Sequence, residues 1–175
     1  MSANDKQTLT PFIRPAVPAD VTLIAEFNTL LARQTEARDL DPERVKSGVA
    51  ALLADPAKGT YYLAELEEQI LGQLLITTEW SDWRNGWFWW IQSLYVREDA
   101  RGRGVFRALF THIEQKAMSL PDVCGLRLYV ETDNERARTT YERLGMTLTS
   151  YRLYEIDFVA GTATDDATES AALES

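Results

Sequence analysis

Val96-Arg97-Glu98-Asp99-Ala100-Arg101-Gly102-Arg103-Gly104-Val105-Phe106-Arg107-Ala108-Leu109 is the stretch whose reading decides the fold. A β-type segment, Trp87 to Val96, leads into it. Beyond it Val105, Phe106, Leu109, Phe110, Ile113 and Ala117 recur at helical spacing. The joint between strand and helix is Arg101-Gly102-Arg103-Gly104. Glycine lacks a Cβ, so the backbone there turns sharply and lets a ligand approach closely. The first N–H groups of a helix have no partner inside it. They lie at the positive end of the helix dipole, where phosphate is favoured. Arg101 and Arg103 add charge-assisted donors. The joint thus suits an anion, although an ordinary helix start with a glycine-rich turn would use the same residues.

Other phosphate loops match less well. G-x-x-x-x-G-K-[ST] is absent, and the third glycine of G-x-G-x-x-G is Arg107 here. The acidic residue that a dinucleotide site places about 20 residues on would be Asp122, which follows Pro121 in a loop. Arg101-Gly102-Arg103-Gly104-Val105-Phe106 instead resembles the pyrophosphate loop [QR]-x-x-G-x-[GA] of the GNAT superfamily of acyl-CoA N-acyltransferases, departing from it at Phe106. Downstream, Leu126 to Glu131 is followed by Asn134, Ala137, Tyr141 and Leu144-Gly145-Met146. These are similar to the superfamily's N-x-x-A-x-x-x-Y-x-x-x-G-[FM] after a strand. The two motifs stand in the family's order, and the resemblance covers residues 9–158.

The resemblance implies an α/β (α+β) domain of GNAT fold, whose mixed central sheet splays between strands 4 and 5 with helices on both faces. It implies direct transfer of an acetyl group from acetyl-CoA, as co-substrate, to a primary amine: a small molecule or a peptide amino terminus. The main-chain amides of Arg101, Gly102, Arg103, Gly104, Val105 and Phe106 would hold the pyrophosphate. Backbone groups of Leu94, Tyr95 and Val96 would pair with the pantetheine arm, an amide there would polarise the thioester carbonyl, and Asn134 would bind the same arm. Tyr141 matches the tyrosine that protonates the leaving thiolate, and a phenol of ordinary pKa is protonated at neutral pH. Glu79 and Glu131, each near a strand end, are the carboxylates available as base, and Glu79 ranks first because it adjoins an aromatic loop. The alternative is a non-catalytic CoA-binding or regulatory module of the same fold.

The 175 residues suit one domain with a real core. The net charge of −9 argues against a general nucleic-acid surface and mildly favours a cationic substrate. No apolar run approaches the roughly 20 residues of a membrane span. The start of the chain lacks the basic and apolar regions of a signal peptide. A single cysteine, Cys124, excludes an internal disulfide and fits a reducing cytoplasm. His112 sits between core positions without Cys or His companions, so it reads as a packing residue and no metal is expected. Exposed aromatic strands are consistent with a homodimer.

Residues 1–8 read as a flexible arm and 160–175 as an acidic disordered tail. Between them the pattern predicts the order β-α-α-β-β-β-α-β-α-β-β. Asp41-Pro42-Glu43 has a cap, a first-turn proline and an acid suited to the dipole. Gly72 interrupts the strand from Ile70 to Glu79 and marks a bulge. Asn85-Gly86 signals a turn. Leu126 to Val130 is the strand before the last helix, Gly145 its C-cap, and Met146–Thr149 with Arg152–Phe158 a closing strand pair. All five tryptophans lie between residues 80 and 90. They either anchor the sheet on the core or, with Trp80 and Trp83, line an acceptor pocket.

Overall fold

A computed structural model describes residues 8–156 and 158. Apart from Thr8, the expected N-terminal arm lies outside the described residues, as does the tail from 160. The chain forms two compact units that divide after Tyr129.

In the first unit the elements run β1 (Phe12–Pro15), α1 (Val21–Glu36), α2 (Pro42–Leu53), β2 (Thr60–Leu66), β3 (Gln69–Ser81), β4 (Gly86–Val96), α3 (Val105–Met118) and β5 (Val123–Leu128). The sheet order is β1-β2-β3-β4-β5. Neighbours are antiparallel except β4 and β5, which are parallel. Parallel strands need a crossover, and α3 supplies it.

The caps follow from local chemistry. The Asp41 carboxylate accepts from the Glu43 and Arg44 amides at 3.0 and 3.2 Å and starts α2, with Pro42 in the first turn. Helices cover both faces of the sheet. On one face α1 and α2 seat Ile24, Ala25 and Val49 on Tyr61, Leu63 and Leu75. On the other α3 buries Val105, Leu109, Phe110, Ile113 and Ala117. His112 of α3 packs on the Tyr62 ring with centroids 5.6 Å apart, as a packing residue should. Burial, with Lys116 close by, holds its pKa below the ordinary value.

Three features of the sheet position the site. A bulge falls at Leu71 and Gly72 of β3, where the pairing steps from Ala64↔Gly72 to Glu65↔Ile70. A Cβ on Gly72 would stand 2.8 Å from the Tyr95 carbonyl oxygen, so glycine is required for β4 to approach. A second bulge lies in β4: Gln73 pairs with Tyr95 but Leu75 with Gln92, which leaves one extra residue on β4. Finally, the β4–β5 pairing stops at Ile91↔Leu128 while β4 continues to Val96. Among the described residues the far half of β4 therefore has no strand beside it on that edge, which is the expected splay.

β5 spans Val123–Leu128 rather than Leu126–Val130, because its register is set by β4, not by its own apolar pattern. None of the five tryptophans is buried. Trp87, Trp89 and Trp90 are half-buried, and Trp80 and Trp83 are 47% and 86% exposed, so the run borders the core instead of filling it.

The second unit contains α4 (Glu135–Arg143). Asn134 caps it, its side-chain oxygen accepting from the Ala137 amide at 3.0 Å. Gly145 ends it at φ 85°, a left-handed conformation that favours glycine. The closing strand pair is not formed among the described residues of 146–158. Leu148, Tyr151, Leu153, Tyr154, Ile156 and Phe158 are 64–91% exposed there. Their near-alternation is a strand pattern, but a ladder needs a partner as well as a pattern.

Candidate functional site

The expected site residues of the first unit fall into two groups. Leu94, Tyr95, Val96 and the loop from Arg101 to Phe106 follow one another round the open end of β4. Glu79 stands apart, opposite Phe88 on β3. Asn134 and Tyr141 belong to the second unit, on α4 and its cap.

The β4 bulge centres on Ser93, whose φ of 47° lies in the left-handed region. A non-glycine residue held there costs about 1–3 kcal/mol and persists only where its surroundings enforce it. Gln73 and Asn28 supply that enforcement. The Gln73 Nε2 donates to the Asn28 side-chain oxygen at 2.8 Å and to the Ser93 carbonyl at 3.4 Å. Asn28, on α1, donates in turn to the Tyr61 hydroxyl at 2.9 Å. Gln73 is fully buried, and its Oε1 has no hydrogen-bond partner among the described residues. Such an orphaned acceptor costs about 1–3 kcal/mol.

Past the bulge, Arg97 pairs with Asp99 at 2.7 Å. Arg101 braces the turn, its Nε donating to the Val96 carbonyl at 2.9 Å and its Nη2 to the Gln34 side chain. The same guanidinium lies over the Tyr95 ring, 5.7 Å from its centroid. Gly102 and Gly104 take φ of 73° and 90°. Gly104 is the N-cap of α3 and, as a glycine, brings no side chain of its own to cap it. A Cβ on Gly104 would come within 3.2 Å of the Thr8 methyl. Leu9 donates its amide to the Arg103 carbonyl at 2.7 Å, which turns that carbonyl toward the N-terminal segment. Phe106 is half-buried and its ring leans on Phe110, with centroids 6.0 Å apart, so it packs along the helix as its spacing predicts.

Glu79 sits in a polar and aromatic network. One carboxylate oxygen accepts from the Trp90 indole at 2.6 Å and the other from Arg127 at 3.0 Å. Arg127 lies over the Phe88 ring, 3.6 Å from its centroid. Tyr129 stacks on Trp90 at 4.5 Å. Both oxygens of Glu79 are therefore engaged, which fixes its position. Tyr141 is held protonated: burial pushes its phenol above the ordinary 10. Glu131 precedes α4 in irregular backbone.

Sequence reading passes over Asn28, Gln73, Ser93 and Arg127. Only Gln73 carries a signal, as the one polar side chain in Ile70-Leu-Gly-Gln-Leu-Leu-Ile76. Ser93 is ordinary in sequence, and its role comes from the register of β3 against β4.

Taken together, the geometry offers a strand edge left unpaired among the described residues, a strained bulge, and a helix N-terminus behind two left-handed glycines. Residues 24–146 match the model of the acetyltransferase (GNAT) family. A crystal structure of a possible acetyltransferase from Clostridium difficile superposes with a TM-score of 0.80 at 42% identity, covering 85% of this chain and 97% of that one. An uncharacterized N-acetyltransferase of Methanocaldococcus jannaschii is 32% identical over 85 residues, 49% of this chain. The chain spans about half the length of that curated relative (51%). A predicted acetyltransferase from Clostridium acetobutylicum, crystallised with acetyl-CoA, has a TM-score of 0.69 at 17% identity, covering 88% of this chain and 100% of that one, a likeness of fold. Among the described residues no helix is long and apolar enough to cross a membrane.

Proposed function

The chain belongs to the GNAT acetyltransferase family, and on that premise we propose that it moves an acetyl group from acetyl-CoA to a primary amine by direct attack of the amine on the thioester. The observation that carries the reading is the continuity of the β4 edge beyond its pairing with β5, through the Ser93 bulge, to the left-handed glycines at the start of α3. The bulge re-aims main-chain groups that a regular strand would spend on a neighbour. Backbone groups of Leu94, Tyr95 and Val96 pair with the pantetheine arm as an added strand does. An amide of this edge polarises the thioester carbonyl, as an oxyanion donor does. The Arg101 amide, expected among these donors, is instead held by the Glu98 carbonyl at 3.3 Å, so the amides that follow it, from Gly102 to Phe106, with the α3 dipole behind them, receive the pyrophosphate. Arg101 shapes this loop through Val96 and Gln34 as well as adding charge.

Proton transfer completes the reaction. Asn134 lies at the start of α4 and binds the pantetheine arm; Tyr141 on that helix donates its proton to the departing thiolate, a role suited to a phenol whose burial keeps it neutral. Glu79, its position fixed by Trp90 and Arg127, takes the proton of the incoming ammonium through water. The enzyme acts in the cytoplasm on a small amine or a peptide amino terminus.

A thermal melt with and without acetyl-CoA, followed by a thiol-release assay with amines, tests the reading. A ligand at about 100 times its Kd adds about 2.7 kcal/mol. At roughly 2–4 °C per kcal/mol, that predicts a rise of roughly 5–11 °C. A shift with amine-dependent thiol release is expected. A shift without release from any amine would leave a CoA-binding module, and no shift would remove the loop from the mechanism.

A further inference from the structure

α2 contains a glycine that nothing in its own geometry requires. Gly48 sits in mid-helix, where glycine is the least favourable residue after proline. It is not among the positive-φ glycines, and a Cβ built on it meets no atom within 4 Å. Gly72, whose Cβ would strike backbone, is the contrasting case. What Gly48 does face is a cleft of about 340 Å³ between α1, α2 and the sheet. Leu31, Leu40, Val45, Val49 and Leu52 supply its apolar walls. Asn28 and Tyr61, already bonded to each other, and the bulged Ser93 supply polar lining. Among the described residues Glu36 is the one carboxylate lining it, and no cation does.

We propose that this cleft is the acceptor subsite, that it takes the apolar side chain of the amine, and that Gly48 keeps it open. The inference rests on the acetyl-transfer reading above and adds the substrate class: a primary amine bearing one uncharged aliphatic or aromatic group. Ser93, which lines the cleft, is the residue before the Leu94–Val96 edge, so an apolar group seated beside it brings its amine toward the thioester. The described lining has one acidic side chain and no basic one, so it admits an ammonium and disfavours a carboxylate. It has too few carboxylates for a polyamine, whose further charges would be desolvated against leucine and valine. The larger cleft of about 460 Å³, lined by Glu26, Glu68 and Arg97 among others, has mixed charge and does not include Ser93.

The test compares wild type with Gly48→Leu, and with Gly48→Ala as a graded control. Thiol release is measured with phenethylamine, 3-methylbutylamine, ethylamine, spermidine and glutamate as acceptors, and the acetyl-CoA melt shift is recorded for each protein. The expected result is that wild type prefers phenethylamine and 3-methylbutylamine. Gly48→Leu then raises their KM at least about tenfold, changes ethylamine little, and keeps the melt shift; Gly48→Ala falls between. A preference for spermidine or glutamate, or an unchanged KM in Gly48→Leu with its melt shift intact, overturns the cleft assignment while acetyl transfer stands. No thiol release from any amine overturns the acetyl-transfer reading, and this inference with it.

Discussion

Replacing Gln73 with leucine should separate the stability of the sheet from the working of the site. Gln73 is 0% exposed and gives two hydrogen bonds, to Asn28 at 2.8 Å and to Ser93 at 3.4 Å. Leucine has nearly the same bulk, so little cavity or overpacking follows. Losing the donors leaves two oxygens short of a bond, but Asn28 and Ser93 are only half-buried. That cost is about 1 kcal/mol each, the low end for an unmade bond. Against it, the orphaned Oε1 disappears, which returns about 1–3 kcal/mol. The terms nearly cancel, so stability should stay within about 2 kcal/mol of wild type, or roughly 4–8 °C in melting temperature. The bulge loses its tie to β3 and α1, and the left-handed Ser93 is free to relax. A shift of about 1 Å in a positioning element costs about 10²-fold in rate. We therefore expect kcat to fall about 10- to 100-fold, with the acetyl-CoA melt shift largely kept, because the loop at Arg101–Phe106 is untouched. Wild-type kcat at an unchanged melting temperature would show that the bulge does not depend on Gln73. A loss beyond about 4 kcal/mol would show that the amide holds the fold itself, so that stability and the working of the site are not separable at this residue.

Tyr141→Phe should lower kcat about 10²-fold with little change in KM for acetyl-CoA, as for a lost general acid; an unchanged kcat removes Tyr141 from the mechanism. Glu79→Gln should reduce thiol release while leaving the acetyl-CoA melt shift intact, because it removes the charge between Trp90 and Arg127 and not the loop; full activity would exclude Glu79 as base. Glu67 and Glu68 both take left-handed φ, 50° and 63°, in the β2–β3 hairpin, where Asn-Gly is the favoured pair. Glu67→Asn with Glu68→Gly should raise stability by about 1–2 kcal/mol, seen as a melt several degrees higher, and a lower melt would show that the glutamates contribute more than their strain costs. Hydrogen bonding to Arg14, aided by the Val17 amide, holds the Asp20 carboxyl below the ordinary 3.8. A lowered folded-state pKa gives stability that is present above about pH 4 and lost as pH falls through the folded value. Asp20→Asn should therefore be less stable than wild type at neutral pH and converge with it in acid; a constant gap across an acid titration would refute the linkage.

What sequence reading recovers is local, and what it misses is relational. Asp41-Pro42, Asn85-Gly86 and Arg101 to Gly104 announce themselves because their conformations are set by their own atoms. A carboxylate beside free amides caps, and a residue without Cβ takes positive φ. The anion-suited loop is legible for that reason. Gly72 is legible as a bulge because a glycine inside a strand weakens it and commonly marks a bulge or a close approach of another backbone. Ser93 gives no such sign. Its conformation is imposed by Gln73 and Asn28, which come from β3 and α1. Arg127 likewise acquires meaning only when β5 sets it opposite Trp90. The strand pattern after α4 is the converse case: the alternation is present in the residues, and no ladder is formed with it among those described.

The distribution of strain argues that the β4 bulge is functional. Five described non-glycine residues have positive φ. Ala37 ends α1, Glu67 and Glu68 turn the β2–β3 hairpin, and Asn85 turns into β4. At those four positions the chain must reverse, and the strained residue is the turn itself. Ser93 lies inside a strand, with paired residues on both sides, where a regular ladder would cost nothing. It is also the position at which the chain keeps a fully buried glutamine with an orphaned oxygen. Two costs are thus incurred side by side, one in backbone conformation and one in hydrogen bonding, neither of which helps the sheet. A strand pair that only had to hold the core together would shed the first by losing one residue from β4 and the second by carrying leucine in place of Gln73. That the pair persists at the point where β4 and β5 part, between the apolar cleft and the glycine loop, is what a site for joining two reactants there would require.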